Sequence, residues 1–183
     1  MQKSNFLCFL LLGLGTLAHT QTFTLMSADV GGQATKVQEA NTFGCNGRNT
    51  SPQLSWENAP EGTQSFAITM YDPDAPTGSG FWHWLAFDIP ADVTELASGA
   101  GSAKGSMPKG SIQSVTSYGA PGYGGPCPPK GHGIHQYIIT VHALKTDKLG
   151  LEANTNPAIV GFNLWQYTIE KASIVMYYSR NSN

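Results

Sequence analysis

The chain has 183 residues, a length that suits one domain, and 40% of them are apolar. With 12% charged residues and a formal net charge of −2, the composition excludes an intrinsically disordered chain and a broad basic surface for nucleic acid. The 21 glycines and 11 prolines indicate many turns between short strands.

Residues 1–20 have the pattern of a secretory signal peptide. Lys3 supplies a positive charge, and an apolar stretch of 12 residues follows, which is too short to span a bilayer. Small residues come next, so cleavage before His19 or before Gln21 fits the pattern. An uncleaved anchor and a core strand are the alternatives. We expect a periplasmic or secreted protein in which residues 21–183 form a single domain without an integral membrane segment.

Six segments alternate apolar and polar residues, or are almost continuously apolar, and end at turn-forming residues. These patterns predict short β-strands, and the segment 81–89 is apolar enough to be buried on both faces. Residues 97–126 are rich in glycine and predict a long irregular excursion, of a kind that is usually functional or mobile. The predicted strands are residues 22–26, 53–56, 65–71, 81–89, 135–144 and 174–178.

One helix is predicted near the C-terminus. Asn156 suits the N-cap and Pro157 the first helical position, because proline has a helical φ and lacks the N–H that would be unpaired there. The helix is expected to continue to about Ala172, with an apolar face of residues at helical spacing, namely Ala158, Phe162, Trp165 and Ile169. Strands and helix together indicate a mainly β, antiparallel domain with a peripheral helix.

Two segments each join a stiff, Pro-containing loop to a strand that carries a histidine. The first is Asp72-Pro73-Asp74-Ala75-Pro76 followed by Trp82-His83-Trp84, and the second runs from Gly125 to Tyr137. The D-P-D-A-P turn, the W-H pair and the G-P-x-P-P-x-G…H-x-Y run, in this order, resemble the phosphatidylethanolamine-binding protein family, also called Raf-kinase-inhibitor-like proteins. The resemblance covers residues 23–178. It implies a large central antiparallel sheet, a smaller sheet packed on one side and helical elements on the other.

The resemblance also implies a small ligand pocket. One aspartate would orient a histidine, and the other would receive an ammonium or hydroxyl group of the ligand. Two imidazole rings would donate to phosphate oxygens, and a nearby aspartate would keep one of them protonated. Taken alone, the aspartates also suit a turn, His83 a hydrogen-bonded core position and Trp84 plain core packing. The pocket residues implied by the family pattern are Asp72, Asp74, His83, Gly125, Pro126, Pro128, Pro129, His135 and Tyr137.

Removal of the signal peptide would leave two cysteines, Cys45 and Cys127. In an exported protein they can form one disulfide, and closing so long a loop stabilises a fold by about 4–5 kcal/mol in the chain-entropy model. Two buried free thiols are the alternative, because intracellular relatives have similar sequences around these positions. We favour the disulfide because of the expected compartment.

The chain departs from the family pattern near the second histidine. The common His-Arg-Tyr is here His135-Gln136-Tyr137, and His132 is an additional histidine of unknown role beside the loop. Eukaryotic members rely on a C-terminal helix near the pocket mouth that has no match here, so we carry over no site residue from beyond Tyr178.

Three functions are compatible with these residues. The resemblance favours a non-enzymatic protein that binds phosphate or a phosphorylated headgroup, needs no cofactor and modulates a protein partner. The alternatives are an inhibitor of a protease or another protein, and a metal-dependent enzyme that uses the His/Asp cluster. The sequence contains no Gly-x-Ser-x-Gly motif and no H-E-x-x-H spacing that would support an enzyme.

Overall fold

The structure is a computed structural model that describes residues 21–182. The signal peptide lies outside the described residues and stays a prediction. Within residues 21–182, none of the helices combines the length and the apolar character needed to cross a membrane.

The described residues contain eight strands and one helix. All six predicted strands are present, and β4 is buried on both faces from His83 to Ile89, as expected. The two-residue strands β5 and β6 were not predicted, because two residues are too few to show a periodicity. In chain order the elements are β1 (Thr24–Met26), β2 (Leu54–Glu57), β3 (Ser65–Asp72), β4 (Phe81–Pro90), β5 (Glu95–Leu96), β6 (Ile112–Gln113), β7 (His135–Leu144), α1 (Pro157–Tyr167) and β8 (Thr168–Tyr178).

The strands form two antiparallel sheets. The central sheet has the order β6-β4-β3-β7-β8, and the smaller sheet has the order β1-β2-β5. Asp72 at the end of β3 pairs with Phe81 at the start of β4, and His135 at the start of β7 pairs with Tyr178 at the end of β8. One end of the central sheet therefore collects residues from four strands that are far apart in the chain.

Apolar side chains cover both faces of the central sheet. On one face Ile68 of β3 shares a core with Trp56 of the small sheet, and on the other Ala67 shares a core with Val160 and Leu164 of α1. Neighbouring residues of a strand point to opposite faces, which explains why Ala67 and Ile68 belong to different cores. The result is the arrangement that the resemblance implied: a large sheet, a small sheet on one side and a helix on the other.

The helix α1 begins where the sequence predicts but ends earlier. Asn156 is its N-cap and Pro157 its first residue. Its C-cap is Thr168, which has an extended backbone. The N–H and the hydroxyl of Thr168 both donate to the carbonyl oxygen of Leu164. The prediction of a helix to Ala172 is wrong, because residues from Thr168 onward pair with β7.

The apolar face predicted for α1 is also wrong. The side chains that the helix buries are Val160 and Leu164, which pack on the central sheet. Phe162 and Trp165, assigned to the buried face, are 59% and 77% exposed. Both stripes are apolar, so helical periodicity by itself could not decide which of them faces the sheet.

Replacing the N-cap Asn156 by alanine is expected to lower the free energy of unfolding by about 1 kcal/mol. Asn156 Oδ1 accepts a hydrogen bond from the Ala158 N–H at 2.9 Å, and this donor would lose its partner. Urea denaturation measures the effect. The matched control is Asn154→Ala, at an exposed position just before the helix. Equal losses in the two variants would contradict the capping role.

Candidate functional site

The order of the strands brings three buried polar side chains together. Asp72 is the last residue of β3, His83 the third residue of β4 and His135 the first residue of β7. Because β4 and β7 flank β3 and run antiparallel to it, the end of β3 lies beside the starts of both neighbours. β8 ends beside the start of β7, and this brings Arg180 to the same end of the sheet.

These residues line a cavity of about 360 Å³, a volume in the usual range of small-molecule sites. Phe43, Phe81 and Tyr118 form an aromatic wall, and prolines of two loops complete it. The polar residues that line the cavity are Asp72, Thr77, His83, Tyr118, His135, Tyr137 and Arg180.

A chain of hydrogen bonds runs from the buried carboxylate of Asp72 to the surface. Asp72 Oδ2 accepts from His135 Nδ1 at 2.7 Å, and His135 Nε2 lies 2.8 Å from Nδ1 of His132, which is exposed. The other oxygen of Asp72 accepts from the backbone N–H of Asp74 at 2.8 Å. The carboxylate is therefore held through both oxygens and fixes the orientation of His135.

A hydrogen bond joins His132 Nδ1 and His135 Nε2, and it contains one proton between the two nitrogens. Since His135 Nδ1 donates to the Asp72 carboxylate, its Nε2 accepts from His132 when His135 is neutral and donates to His132 when His135 is an imidazolium. In both states this hydrogen bond occupies His135 Nε2, the nitrogen that faces away from Asp72. A ligand that binds His135 Nε2 must therefore displace His132, and a ligand that leaves the hydrogen bond intact can contact only His132 Nε2.

His83 is neutral near pH 7. Its Nδ1 donates to the carbonyl oxygen of Gly124 at 2.8 Å, and its ring packs against Phe81, Tyr118 and Tyr137. Burial in these surroundings lowers the pKa of His83 to about 4. The neutral ring of His83 offers its Nε2 as an acceptor, and donation from His83 to a phosphate oxygen stays a prediction.

Acid is expected to destabilise the fold through His83. The unfolded side chain, with a pKa of 6.5, binds a proton at a pH where the folded side chain, with a pKa of about 4, does not. The free energy of unfolding therefore falls as the pH drops from 6.5 towards 4, by about 3 kcal/mol in total. Urea denaturation at about pH 7 and about pH 4.5 should show a smaller loss in His83→Gln than in the wild type. The same loss in both proteins would refute this linkage.

Tyr137 has a buried hydroxyl that lies near the Asp72 carboxylate, although no well-formed hydrogen bond joins it to an atom of the described residues. Its ring centroid lies 5.0 Å from that of His83 and 6.3 Å from that of His135. Burial and the nearby Asp72 carboxylate raise the pKa of Tyr137, so the hydroxyl keeps its proton. A buried donor without a well-formed hydrogen bond is costly, and the nearby Asp72 carboxylate is the acceptor that offsets part of this cost.

The Pro-rich loop has a structural part and a part that faces the cavity. Gly125 and Pro126 are buried and lie outside the cavity lining. A Cβ on Gly125 would lie 1.9 Å from the carbonyl oxygen of Gln38, so only glycine allows the two backbones to approach this closely. Pro128 and Pro129 line the cavity.

Asp74 and Trp84 also lie outside the cavity lining. Asp74 Oδ2 accepts from the backbone N–H of Gln136 at 2.8 Å, which fastens the Asp-Pro turn to the start of β7. Trp84 is fully buried and its Nε1 donates to Gln113 Oε1 at 2.7 Å, which confirms core packing as its role. A direct contact between Asp74 and a ligand stays a prediction.

The disulfide between Cys45 and Cys127 is present. It ties the segment that carries Phe43 to the Pro-rich loop. Arg180 Nη1 lies 2.9 Å from the sulfur of Cys45 and 3.1 Å from that of Cys127, and Nη2 donates to the Gly44 carbonyl at 3.2 Å. The disulfide thus supports a guanidinium that adds a permanent positive charge to the cavity lining.

The sequence motifs do not mark Arg180, and they give His132 no role. The position of His132, three residues before His135 in a Gly-containing loop, is a usable signal for a third imidazole hydrogen-bonded to the site. No comparable signal exists for Arg180, which follows β8 and reaches the cavity only because β8 pairs with β7.

Comparisons with known proteins agree on one family. The family model described as phosphatidylethanolamine-binding protein matches residues 18–179. The chain is 46% identical to the UPF0098 protein YbcL of Escherichia coli over 164 residues, or 88% of this chain and 90% of YbcL. It is also 46% identical to YbhB of the same organism over 139 residues, or 76% of this chain and 87% of YbhB. The crystal structure of E. coli YbcL matches with a TM-score of 0.83 over 86% of this chain and 98% of that one. This chain therefore belongs to the phosphatidylethanolamine-binding protein family.

Proposed function

We propose that this protein is an exported, non-enzymatic binding protein whose cavity takes phosphate or a phosphorylated headgroup. The observation that carries the proposal is a cavity lined both by the Arg180 guanidinium and by the hydrogen-bonded pair Asp72–His135. Members of the family are generally binding proteins without enzymatic activity, which agrees with such a site. The disulfide supports export to the periplasm or the cell exterior, because these bonds persist in oxidising compartments.

The donors and acceptors around the cavity suit a phosphate monoester. Arg180 lines the cavity and offers hydrogen-bond donors to the anionic oxygens, and hydrogen bonds from charged donors are the strong ones. His132 lies outside the cavity lining and is joined to it through its hydrogen bond with His135. The neutral His83 offers an acceptor, which would pair with the remaining O–H of a monoanionic phosphate or with an ammonium group of the ligand.

The carboxylate of Asp72 opposes an anion in the cavity. Asp72 lines the cavity and would repel an anion unless a positive charge on His135 balances it. The permanent charge of Arg180, which also lines the cavity, offsets part of this repulsion.

The size of the cavity favours a headgroup over a whole lipid. A volume of about 360 Å³ can hold phosphoethanolamine, whereas acyl chains would have to stay outside. The proposal therefore concerns recognition of a phosphorylated group and not the transport of lipid tails.

Calorimetric titration of the mature chain with inorganic phosphate and with phosphoethanolamine tests the function. Ethanolamine, which lacks the phosphate, is the control ligand. We expect both phosphate compounds to bind and ethanolamine to give no heat of binding. Absence of binding by both phosphate compounds, together with an unchanged melting temperature in their presence, would refute the proposal.

The two alternative functions, an inhibitor of a protein and a metal-dependent enzyme, are not favoured by any contact among the described residues. Within residues 21–182, no three His, Cys, Asp or Glu side chains are grouped so as to hold a metal ion, so the proposal is built on hydrogen bonds. Modulation of a protein partner stays a prediction, and its test is whether phosphate competes with any partner that is found.

A further inference from the structure

The disulfide between Cys45 and Cys127 forms part of the wall of the candidate cavity. Cys127 is half-buried and lines the cavity beside Pro128 and Pro129. Cys45 is 8% exposed and lies outside the cavity lining. A small molecule in the cavity can therefore reach Cys127 more readily than Cys45.

A guanidinium contacts this disulfide on both sulfur atoms. Arg180 Nη1 lies 2.9 Å from the sulfur of Cys45 and 3.1 Å from that of Cys127. A closed disulfide has no net charge for a guanidinium to balance, whereas an opened one has a thiolate, which a neighbouring arginine stabilises. Arg180 is therefore placed to stabilise the charge that appears when the bond opens.

The surroundings of the disulfide contain more cationic than anionic side chains. Both chain neighbours of Cys45 line a second hollow, of about 450 Å³, which shares Arg180 with the cavity and also contains Lys36 and Lys130. The acids that line the two hollows are Asp72 and Glu39, and each of them pairs with a histidine or lysine side chain. A thiolate of Cys45 would therefore lie in surroundings with an excess of positive charge.

We propose that Cys127 is a covalent attachment site for small thiols that enter the cavity. The thiolate sulfur attacks Sγ of Cys127, the bond between the two cysteines breaks, and its electron pair stays on Sγ of Cys45 as a thiolate. One disulfide replaces another, so the step needs no oxidant and no reductant besides the thiol. The reverse step, an attack by Cys45, releases the thiol and restores the original bond.

The position of Arg180 should make this exchange fast and selective. Thiol–disulfide exchange is faster when the leaving sulfur is a more stable thiolate. Attack on Cys127 makes Cys45 the leaving group, and the sulfur of Cys45 contacts the guanidinium. The accessible sulfur and a stabilised leaving group thus lie at opposite ends of one bond. A thiol attached at Cys127 would occupy the cavity and give it a class of ligand other than phosphorylated groups.

Reaction of the mature, folded protein with reduced glutathione tests the attachment site. Free thiols are capped with iodoacetamide at successive times, and mass spectrometry of peptides locates each adduct. We expect glutathione on Cys127 and the cap on Cys45 at early times. More glutathione on Cys45 than on Cys127, or no glutathione on Cys127 at any time, overturns the proposal.

Arg180→Gln tests the role of the guanidinium. The exchange should become about 10-fold slower, because the leaving thiolate of Cys45 loses its charge partner. A loosened fold would expose the disulfide and speed up the exchange, so the expected slowing separates the effect of the charge from a structural defect. Arg180→Lys, which keeps the positive charge, should restore part of the rate.

Arg48→Gln is the matched control for the Arg180 experiment. It removes the other of the chain's two arginines, which lies outside the cavity lining, and it should react like the wild type. An Arg180→Gln variant that reacts as fast as the wild type, or a control that is slowed equally, overturns the proposal. The reactions contain no phosphate, so their outcome does not depend on whether the cavity binds phosphate.

Discussion

Replacement of His135 by alanine should weaken the binding of inorganic phosphate by about 10- to 100-fold. The estimate corresponds to the loss of one hydrogen bond to a charged group, about 1.5–3 kcal/mol. His135 is the central member of the chain that joins Asp72 to His132, so its removal also leaves His132 without its partner in the empty site. Calorimetric titration of wild type and variant measures the ratio of affinities.

The His135 experiment needs a control for stability. His135→Ala leaves the Asp72 carboxylate buried without its imidazole partner, which typically costs about 3–5 kcal/mol. Urea denaturation should therefore precede the titration, and His132→Ala gives a second test that leaves the buried pair intact. His142→Gln, at a histidine of β7 outside the cavity lining, should bind phosphate like the wild type. Unchanged affinity in both His135→Ala and His132→Ala would contradict the role of the histidine chain.

Removal of the disulfide by the double change Cys45→Ser and Cys127→Ser should lower the free energy of unfolding by about 4.5 kcal/mol. The bond closes a loop with a sequence separation of 82 residues, and the chain-entropy model gives this value for such a loop. At about 2–4 °C per kcal/mol for a domain of this size, the melting temperature should fall by roughly 10–15 °C. Thermal unfolding followed by circular dichroism measures the shift.

Loss of the disulfide should also weaken phosphate binding. Arg180 contacts both sulfur atoms of the disulfide, and Phe43 belongs to the segment that Cys45 anchors. Both Arg180 and Phe43 line the cavity. A reducing agent should reproduce the destabilisation in the wild type and change nothing in the serine variant, which separates the bond from other effects of the substitutions. A serine variant that melts at the wild-type temperature would show that the bond does not constrain the fold.

Several parts of this fold could be predicted because they depend on local patterns. The alternation along residues 65–71 identifies a strand whatever its neighbours are, and Asn156-Pro157 marks the start of a helix through the requirements of its first turn. The end of that helix could not be predicted in this way. Pairing of Thr168 and the following residues with β7 overrides their helical spacing, and such a partner is remote in sequence.

The candidate site shows the same division. Asp72, His83 and His135 could be identified because family motifs mark them, but their chemical states depend on their surroundings. His83 is neutral because it is buried among aromatic rings, and His135 has a defined orientation because Asp72 and His132 hold both of its nitrogens. No residue type or spacing carries this information, since desolvation and hydrogen-bond partners arise only when the strands assemble.

The sequence by itself therefore determined six of the eight strands, the start of the helix and the motif residues, because each depends on local chemistry or on a short pattern. It favoured the pair Cys45–Cys127 only through the expected compartment. The tertiary structure alone decided that Arg180 reaches the cavity, that Gly125 and Pro126 support it from outside, and that Phe162 and Trp165 face outward. These features result from the order and register of the strands in the central sheet. That order is set by contacts between residues far apart in the chain, which local patterns do not encode.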